Sequence, residues 1–347
     1  MKKFVVLLLA VVAAALLGLS LVSAQDVDRT GWPETFIIGV YPGDDVAEAL
    51  AAVEPMRVYL EETLGVRTVL ITGTSYNAVI EAMAAGRADA MEVGPFSYVL
   101  AADVANAEAI AVANYEIEVD KAEVPGYFSL QFTKKGTGIT SIADLAGRSF
   151  AFTDPASTSG YLVPANDILQ AMEFTDPAQI EEFANVSFAG NHPNAVLSVW
   201  NDTVEAGATF DGNLPAQVEA AGIELCGFND LGLEGPATVE EWPYLAAMTE
   251  EEVIAIYEGC PDGSIAVFHQ SPLIPETPFA INAALPQSFK DAVKAALLAI
   301  ADNPDLVTEL ERYYVDPTVE TGAESIDSLY DSLRAIAANL NIDLRAR

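Results

Sequence analysis

Residues 148 to 164 read RSFAFTDPASTSGYLVP. Arg148 to Phe152 is a short apolar run suited to a buried strand, Asp154-Pro155 is a turn pair, and three successive hydroxyl residues, Ser157, Thr158 and Ser159, lead into a helical pattern from about Ser159 to Met172. Ligands of open α/β sheets sit beyond the carboxyl ends of the strands, which is where this junction falls. Hydroxyls at a helix start place neutral O–H donors beside unpaired main-chain N–H groups, and the helix dipole adds about half a positive charge. The junction reads as an anion cradle; an ordinary Ser/Thr cap is the plainer alternative.

The same alternation extends in both directions. Upstream, Phe36 to Tyr41, Val66 to Ile71, Ala88 to Val93 and Ala109 to Tyr115 read as strands, separated by helices from Val46 to Leu64, from Ser75 as N-cap to Gly86, and from Gly94-Pro95. Glu116 to Pro125 is a polar linker. Beyond it come a strand at Tyr127 to Thr133, a short helix at Ile142 to Leu145, strands near Val186 to Phe188 and Val204 to Thr209, and a helix from Pro193 to Trp200 between them. This pattern predicts an α/β chain with mainly parallel sheets in two lobes. Gly222 to Gly263 is acidic and irregular, and is expected as a surface insertion. Ile265 to Phe268 is a strand, Ser271 to Pro275 an extended crossing, and three amphipathic helices near 286–300, 305–313 and 325–340 have no sheet of their own, so they should return to the first lobe. The expected division is 34–122 and 273–347 for one lobe and 123–272, with the insertion 222–263, for the other.

Fifty-one acidic against sixteen Lys and Arg side chains give a net charge of −35, which repels polyanions. Nucleic-acid binding needs a basic face, and nothing larger than the Lys134-Lys135 pair supplies one. So large an acidic excess reads as a solubility adaptation. With 51% hydrophobic and 19% charged residues the chain has ample material for a core, which excludes disorder. Met1 to Ala24 has the form of a cleaved secretory signal: Lys2-Lys3, an apolar run from Phe4 to Val22, and a small-residue site before Gln25. An uncleaved anchor is the alternative. Export would place Cys226 and Cys260, the only cysteines, where a disulfide persists. A bridge would close a loop of about 35 residues and contribute on the order of 3 to 4 kcal/mol, with two buried thiols as the other reading. Two cysteines and two distant histidines make no metal site, and no cofactor is expected.

Outside the cradle, Gly73-Thr74-Ser75-Tyr76-Asn77 is a second strand-to-helix junction, in the other lobe, so that two helix starts could face one cleft. His192 precedes a helix and could donate to an anion or simply bond to backbone, whereas His269 reads as structural. Enzyme motifs are missing: the segment is not a Gly-x-Ser-x-Gly elbow, and neither a phosphate-binding Gly-x-x-x-x-Gly-Lys-Ser/Thr loop nor His-Glu-x-x-His occurs. The chain is not expected to be an enzyme.

Four places in order resemble one family: Ser75 to Ala82, Gly126-Tyr127, DPASTSGYLVP from Asp154, and NHPNAVLSVWNDTVEAGAT from Asn191 followed by SPLIPETP from Ser271. The sequence is similar to the periplasmic substrate-binding proteins of phosphonate, phosphite and phosphate ABC importers. The resemblance implies a type II periplasmic-binding fold, with two α/β lobes joined by two crossover segments around a ligand cleft. It further implies that a small phosphorus oxyanion is held by Tyr76, Tyr127, Ser157, Thr158, Ser159 and His192, with Asp211 completing the pocket. A carboxylate there filters ligands, because a P–OH group can donate to it while sulfate has no proton. The aspartate that pairs a ligand amine in aminoalkylphosphonate binders falls at Thr277, beside Glu276. The implied partner is a membrane permease, with the protein a periplasmic monomer; a module docking on a sensor kinase or chemoreceptor is the alternative.

Overall fold

The computed structural model describes residues 28–41, 46–116, 118–226 and 249–345. The first lobe opens with β1 (Thr35–Val40), α1 (Val46–Leu64), β2 (Arg67–Ile71), α2 (Tyr76–Ala84), β3 (Ala90–Glu92), α3 (Pro95–Val104) and β4 (Ala107–Asn114). The chain crosses over as β5 (Gly126–Tyr127) into β6 (Ser129–Lys134), β7 (Ser149–Phe152), α4 (Val163–Ala171), α5 (Ala178–Phe183), β8 (Asn185–Phe188), α6 (His192–Trp200), β9 (Ala206–Phe210), α7 (Asn213–Ala221), α8 (Glu250–Gly259) and β10 (Ile265–Gln270). It returns through β11 (Ile274–Pro275) to β12 (Pro278–Asn282), α9 (Gln287–Ala299), α10 (Pro304–Leu310), β13 (Tyr313–Val315), α11 (Thr318–Thr321) and α12 (Asp331–Asn339).

Two sheets carry the lobes, ordered β13-β4-β12-β3-β1-β2 and β10-β6-β9-β7-β8. They are mixed, not mainly parallel: β1 runs parallel to β2 and β3, and β7 to β8 and β9, but β12 opposes β3 and β4, β13 opposes β4, and β6 opposes β9 and β10. The cause is the crossing itself. β4 leads out of the first sheet and β12 leads back in; β6 enters the second sheet and β10 leaves it, so each pair lies side by side with opposed directions. Between the lobes the two crossings pair as a short antiparallel ladder, Tyr127 against Ile274 and Gly126 against Pro275.

The expectation that the chain after Pro275 holds helices with no sheet of their own is also corrected. Phe279, Ala280 and Ile281 are fully buried in β12, and Tyr313 to Val315 form the buried edge strand β13. A leading Pro278 disguised the first, and three residues between helices are too few to show a period. α9 packs on α1 and β13, while α12 packs on both α3 and α4, touching elements of each lobe rather than returning to the first alone.

The acidic insertion is not wholly irregular either, since α8 lies within it. Its start is a capping box in which the Thr249 hydroxyl accepts from the Glu252 N–H and the Glu252 carboxylate accepts from the Thr249 N–H, a Thr-x-x-Glu signal that was present in the sequence. Cys226 and Cys260 form a disulfide with Cα atoms 5.4 Å apart, packed beside Tyr257 and Ala266. The reading of Met1 to Ala24 as a signal lies outside the described residues. Within those residues, no helix is long and apolar enough to cross a membrane.

Candidate functional site

After β7 the chain turns on Asp154, whose carboxylate accepts the Ala156 N–H at 2.8 Å while its carbonyl accepts the Ser157 N–H at 2.9 Å. Ser157 is the N-cap, in extended conformation, and its Oγ accepts the Gly160 N–H at 3.1 Å. The turn that follows, Thr158–Leu162, is a π-helical turn rather than the α-helix expected from Ser159, and α4 begins only at Val163. Leu162 N–H reaches back five residues to the Ser157 carbonyl at 3.1 Å. One extra residue widens the turn, a form that recurs at functional sites. The Thr158 and Ser159 amides lie in this first turn, where a helix has no carbonyl to offer them. Ser157, Thr158 and Ser159 are each at most 3% exposed.

Across from this turn stands the start of α3, beside the α2 junction that the sequence pairs with it. The Phe96 N–H donates to Thr158 Oγ1 at 2.8 Å, and Ser97 Oγ donates to the Ala156 carbonyl at 2.9 Å. Two helix N-termini therefore meet across the lobes. Gly94 precedes α3 at φ +150°, a conformation that strains any residue with a side chain, while a Cβ there would make only ordinary contacts, 3.7 Å from the Tyr76 ring and 3.9 Å from Thr158 Oγ1. Ser75 only caps its own helix, accepting from Ala78 N–H at 3.3 Å.

Tyr76, buried at the start of α2, lies against the Tyr41 ring at 4.8 Å with its hydroxyl beside Ser157. Tyr127, in the first crossing, lies beside Thr158 and Ser159. Burial holds both phenols far above their ordinary pKa, so they are neutral donors. His192 opens α6 with Nε2 3.3 Å from Ser157 Oγ and Nδ1 3.0 Å from Thr209 Oγ1. Burial lowers its pKa to about 3, which leaves it neutral at physiological pH. None of these side chains is cationic. What the arrangement offers a guest is oriented dipoles, each worth more in a dry site than in water.

Two carboxyls complete the surroundings. Asp211, just past β9, accepts from the Phe128 N–H at 3.2 Å and the Gly212 N–H at 3.0 Å, yet burial pushes its pKa up to about 6. Glu276, in the second crossing, accepts from the Thr277 N–H at 2.7 Å, and burial, with Asp211 nearby, pushes it up to about 7. Its charge acts on Tyr127, which puts it beside the cradle. The seven residues read from the sequence are thus linked through Ser157, Tyr127 and their partners. Tyr41, Ser97, Thr209 and Glu276 were missed; the Gly94-Pro95-Phe96-Ser97 helix opening was a usable signal for one of them. His269 lies against Asp167 of α4 at 3.2 Å and takes no part.

These carboxyls make stability pH-dependent. Unfolded, they release their protons near 3.8 and 4.5; folded, they hold them to about 6 and about 7, so the fold binds more protons in that window. Their contribution to stability therefore falls as pH rises from about 4.5 to 7 and levels off above, partly offset up to about pH 6.5 by His192, whose lowered pKa works in the opposite sense. Thermal melts of the wild type should lose several degrees between pH 5 and 8, and Glu276→Gln should remove a large part of that slope. Parallel slopes for the two proteins would contradict a buried, protonated Glu276.

Comparison with known proteins adds three findings. The family described as ABC transporter, phosphonate, periplasmic substrate-binding protein matches residues 38–325. The phosphate-import protein PhnD of Mycolicibacterium smegmatis is 30% identical over 190 residues, 54% of this chain and 58% of that protein, and the phosphonates-binding periplasmic protein of Escherichia coli is 24% identical over 257 residues, 73% and 62% respectively. The chain therefore spans less than two thirds of the length of these curated relatives. Among solved structures, PhnD1 of Prochlorococcus marinus in complex with methylphosphonate shares the fold with a TM-score of 0.62 at 16% identity, covering 90% of this chain and all of that one.

Proposed function

The chain belongs to the periplasmic substrate-binding proteins of phosphonate ABC transporters, a family of solute binders and not of enzymes, and from that premise we propose that its cleft captures a small phosphorus oxyanion and presents it to a membrane permease. A phosphonate is the leading guest, with phosphite and phosphate the other members of the class. In this reading residues 34–122 and 273–347 act as one lobe and 123–272 as the other, and an exported monomer does the work.

The observation that carries the proposal is the meeting of the Ser157-Thr158-Ser159 turn with the α3 start across the lobes, ringed by neutral donors from Tyr76, Tyr127 and His192. A guest that touches both lobes only when they are shut shifts a hinge equilibrium toward closure. Asp211 supports the choice of phosphorus: above about pH 6, where it is ionised, a guest bearing P–OH can donate to it, whereas sulfate meets repulsion.

A thermal-shift screen against phosphate, phosphite, methylphosphonate, aminoethylphosphonate and sulfate tests it, because a tight guest raises Tm by mass action. At least one phosphorus anion should stabilise the protein and sulfate should not. Ser157→Ala should weaken that guest by about 10- to 100-fold, the worth of a hydrogen bond to a charge, while costing roughly 1 kcal/mol of apo stability through the lost cap on Gly160. Melting curves unmoved by every phosphorus anion would reject the proposal.

A further inference from the structure

His192 is buried, neutral and the only imidazole in the pocket, so which of its nitrogens carries the proton decides whether it attracts or repels an anion. The groups behind it settle that choice. Asn213, at the start of α7, donates from Nδ2 to Thr209 Oγ1 at 2.9 Å, and its Oδ1 is turned the other way, toward Gln217 Nε2 at 3.4 Å. Thr209 Oγ1 has one proton of its own, and its near neighbour is His192 Nδ1 at 3.0 Å. Thr209, Asn213 and Gln217 are all buried, so no bulk water competes for these bonds.

From this geometry we infer that Thr209 and Asn213 are positioning residues that hold His192 in its Nε2–H tautomer and so aim a donor at the bound oxyanion. Asn213 occupies a lone pair of Thr209; the Thr209 O–H then donates to Nδ1, which must be the bare nitrogen, and the proton sits on Nε2. At 3.3 Å, Nε2–H donates to Ser157 Oγ or to the guest beside it. Ser157 Oγ already accepts from the Gly160 N–H. When Nε2–H donates to it as well, both its lone pairs are engaged and its single O–H is left for Tyr76 or the guest. Every bond in the row from Asn213 through Thr209, His192 and Ser157 then points the same way, donor end toward the anion. The opposite tautomer fails on two counts. Nδ1–H would make Thr209 accept twice and leave its buried proton without an acceptor among the described residues, and a bare Nε2 would either take up the Ser157 proton or face the anion with its one lone pair.

The inference rests on the oxyanion reading of the pocket for its purpose, but its first test needs no guest. The chain has only two histidines, so nitrogen-15 spectra of histidine-labelled apo protein at neutral pH contain two rings, and His269→Gln identifies the second. The ring of His192 should show a protonated Nε2 and a bare Nδ1. That pattern should be lost in Thr209→Val, which keeps the shape and removes the hydroxyl, and kept in Thr209→Ser. Calorimetric titration with methylphosphonate and with inorganic phosphate should then show affinity reduced about tenfold or more in the valine variant and near wild type in the serine variant. An Nδ1–H or doubly protonated ring in the wild type, an unchanged ring in Thr209→Val, or unchanged affinity despite a changed ring would each overturn the assignment. A wild-type ring protonated at Nε2 in a protein that no phosphorus oxyanion stabilises would instead reject the proposed function and leave the tautomer standing.

Discussion

Gly160→Ala is expected to cost about 3 kcal/mol or more of folding stability, at or above the top of the usual range for overpacking, and to abolish anion binding. A Cβ at Gly160 would lie 1.8 Å from Thr153 Oγ1, 2.5 Å from its Cγ2 and 2.6 Å from its Cβ. Rotating the Thr153 side chain moves the first two atoms but not the third. Backing the chain away is also closed, because the Thr153 N–H donates to the Gly160 carbonyl at 2.9 Å and Thr153 is wholly buried. The π-turn must therefore shift as a unit, and Ser157, Thr158 and Ser159 shift with it. Urea denaturation checks the stability and calorimetric titration the binding. Thr153→Gly combined with Gly160→Ala removes all three clashing atoms and should recover part of both. A single variant with the wild-type midpoint would show that the turn yields more easily than this packing allows.

Arg312→Met should be comparably damaging for a different reason. Arg312 Nη1 stands 3.1 Å from Glu92 Oε1, with both side chains at most 10% exposed, and the Tyr314 hydroxyl donates to Glu92 Oε2 at 2.5 Å. Removing the guanidinium leaves a buried carboxylate facing one neutral donor, which typically costs 3 to 5 kcal/mol. Replacing both partners is another matter. Two of the guanidinium nitrogens, Nε and Nη2, find no hydrogen-bond partner among the described residues, so the ion pair is itself expensive to bury. Arg312→Met with Glu92→Gln should therefore regain a large share of the loss, and a double-mutant cycle from denaturation midpoints reads the coupling. Equal destabilisation in the single and double variants would mean that Arg312 acts through packing alone.

Much of the architecture was legible because its signals are local. α1 spans Val46–Leu64 as its apolar pattern and the following Gly65 indicate, and Ser75, Ser157 and Asn191 each cap the helix they precede. The Asp-Pro-Ala-Ser-Thr-Ser-Gly segment announced a strand-to-helix junction rich in donors, and the family resemblance assigned its partners. The π-turn was not legible, since π and α starts share the same caps. Neither was the role of α3: Phe96 meets Thr158 and Ser97 meets Ala156 across about sixty residues of sequence, and no local pattern encodes such a contact. Glu276 sits beside Thr277, the place singled out in the sequence, but its burial comes from two crossings pairing side by side.

The amino-acid order alone established the alternation of strands and helices, the acidic character that rules out polyanion partners, and the hydroxyl-rich helix start as the place to look for an anion. These depend on neighbours within a few residues or on composition, so folding cannot hide them. Only the tertiary structure decided which helix faces that start, how β12 and β13 close the first sheet, and what charges Asp211, Glu276 and His192 carry. Strand pairing is chosen by which chain segments leave and re-enter each lobe. Ionisation is set by how much water the assembled fold removes from a group, and neither quantity exists until distant parts of the chain have met.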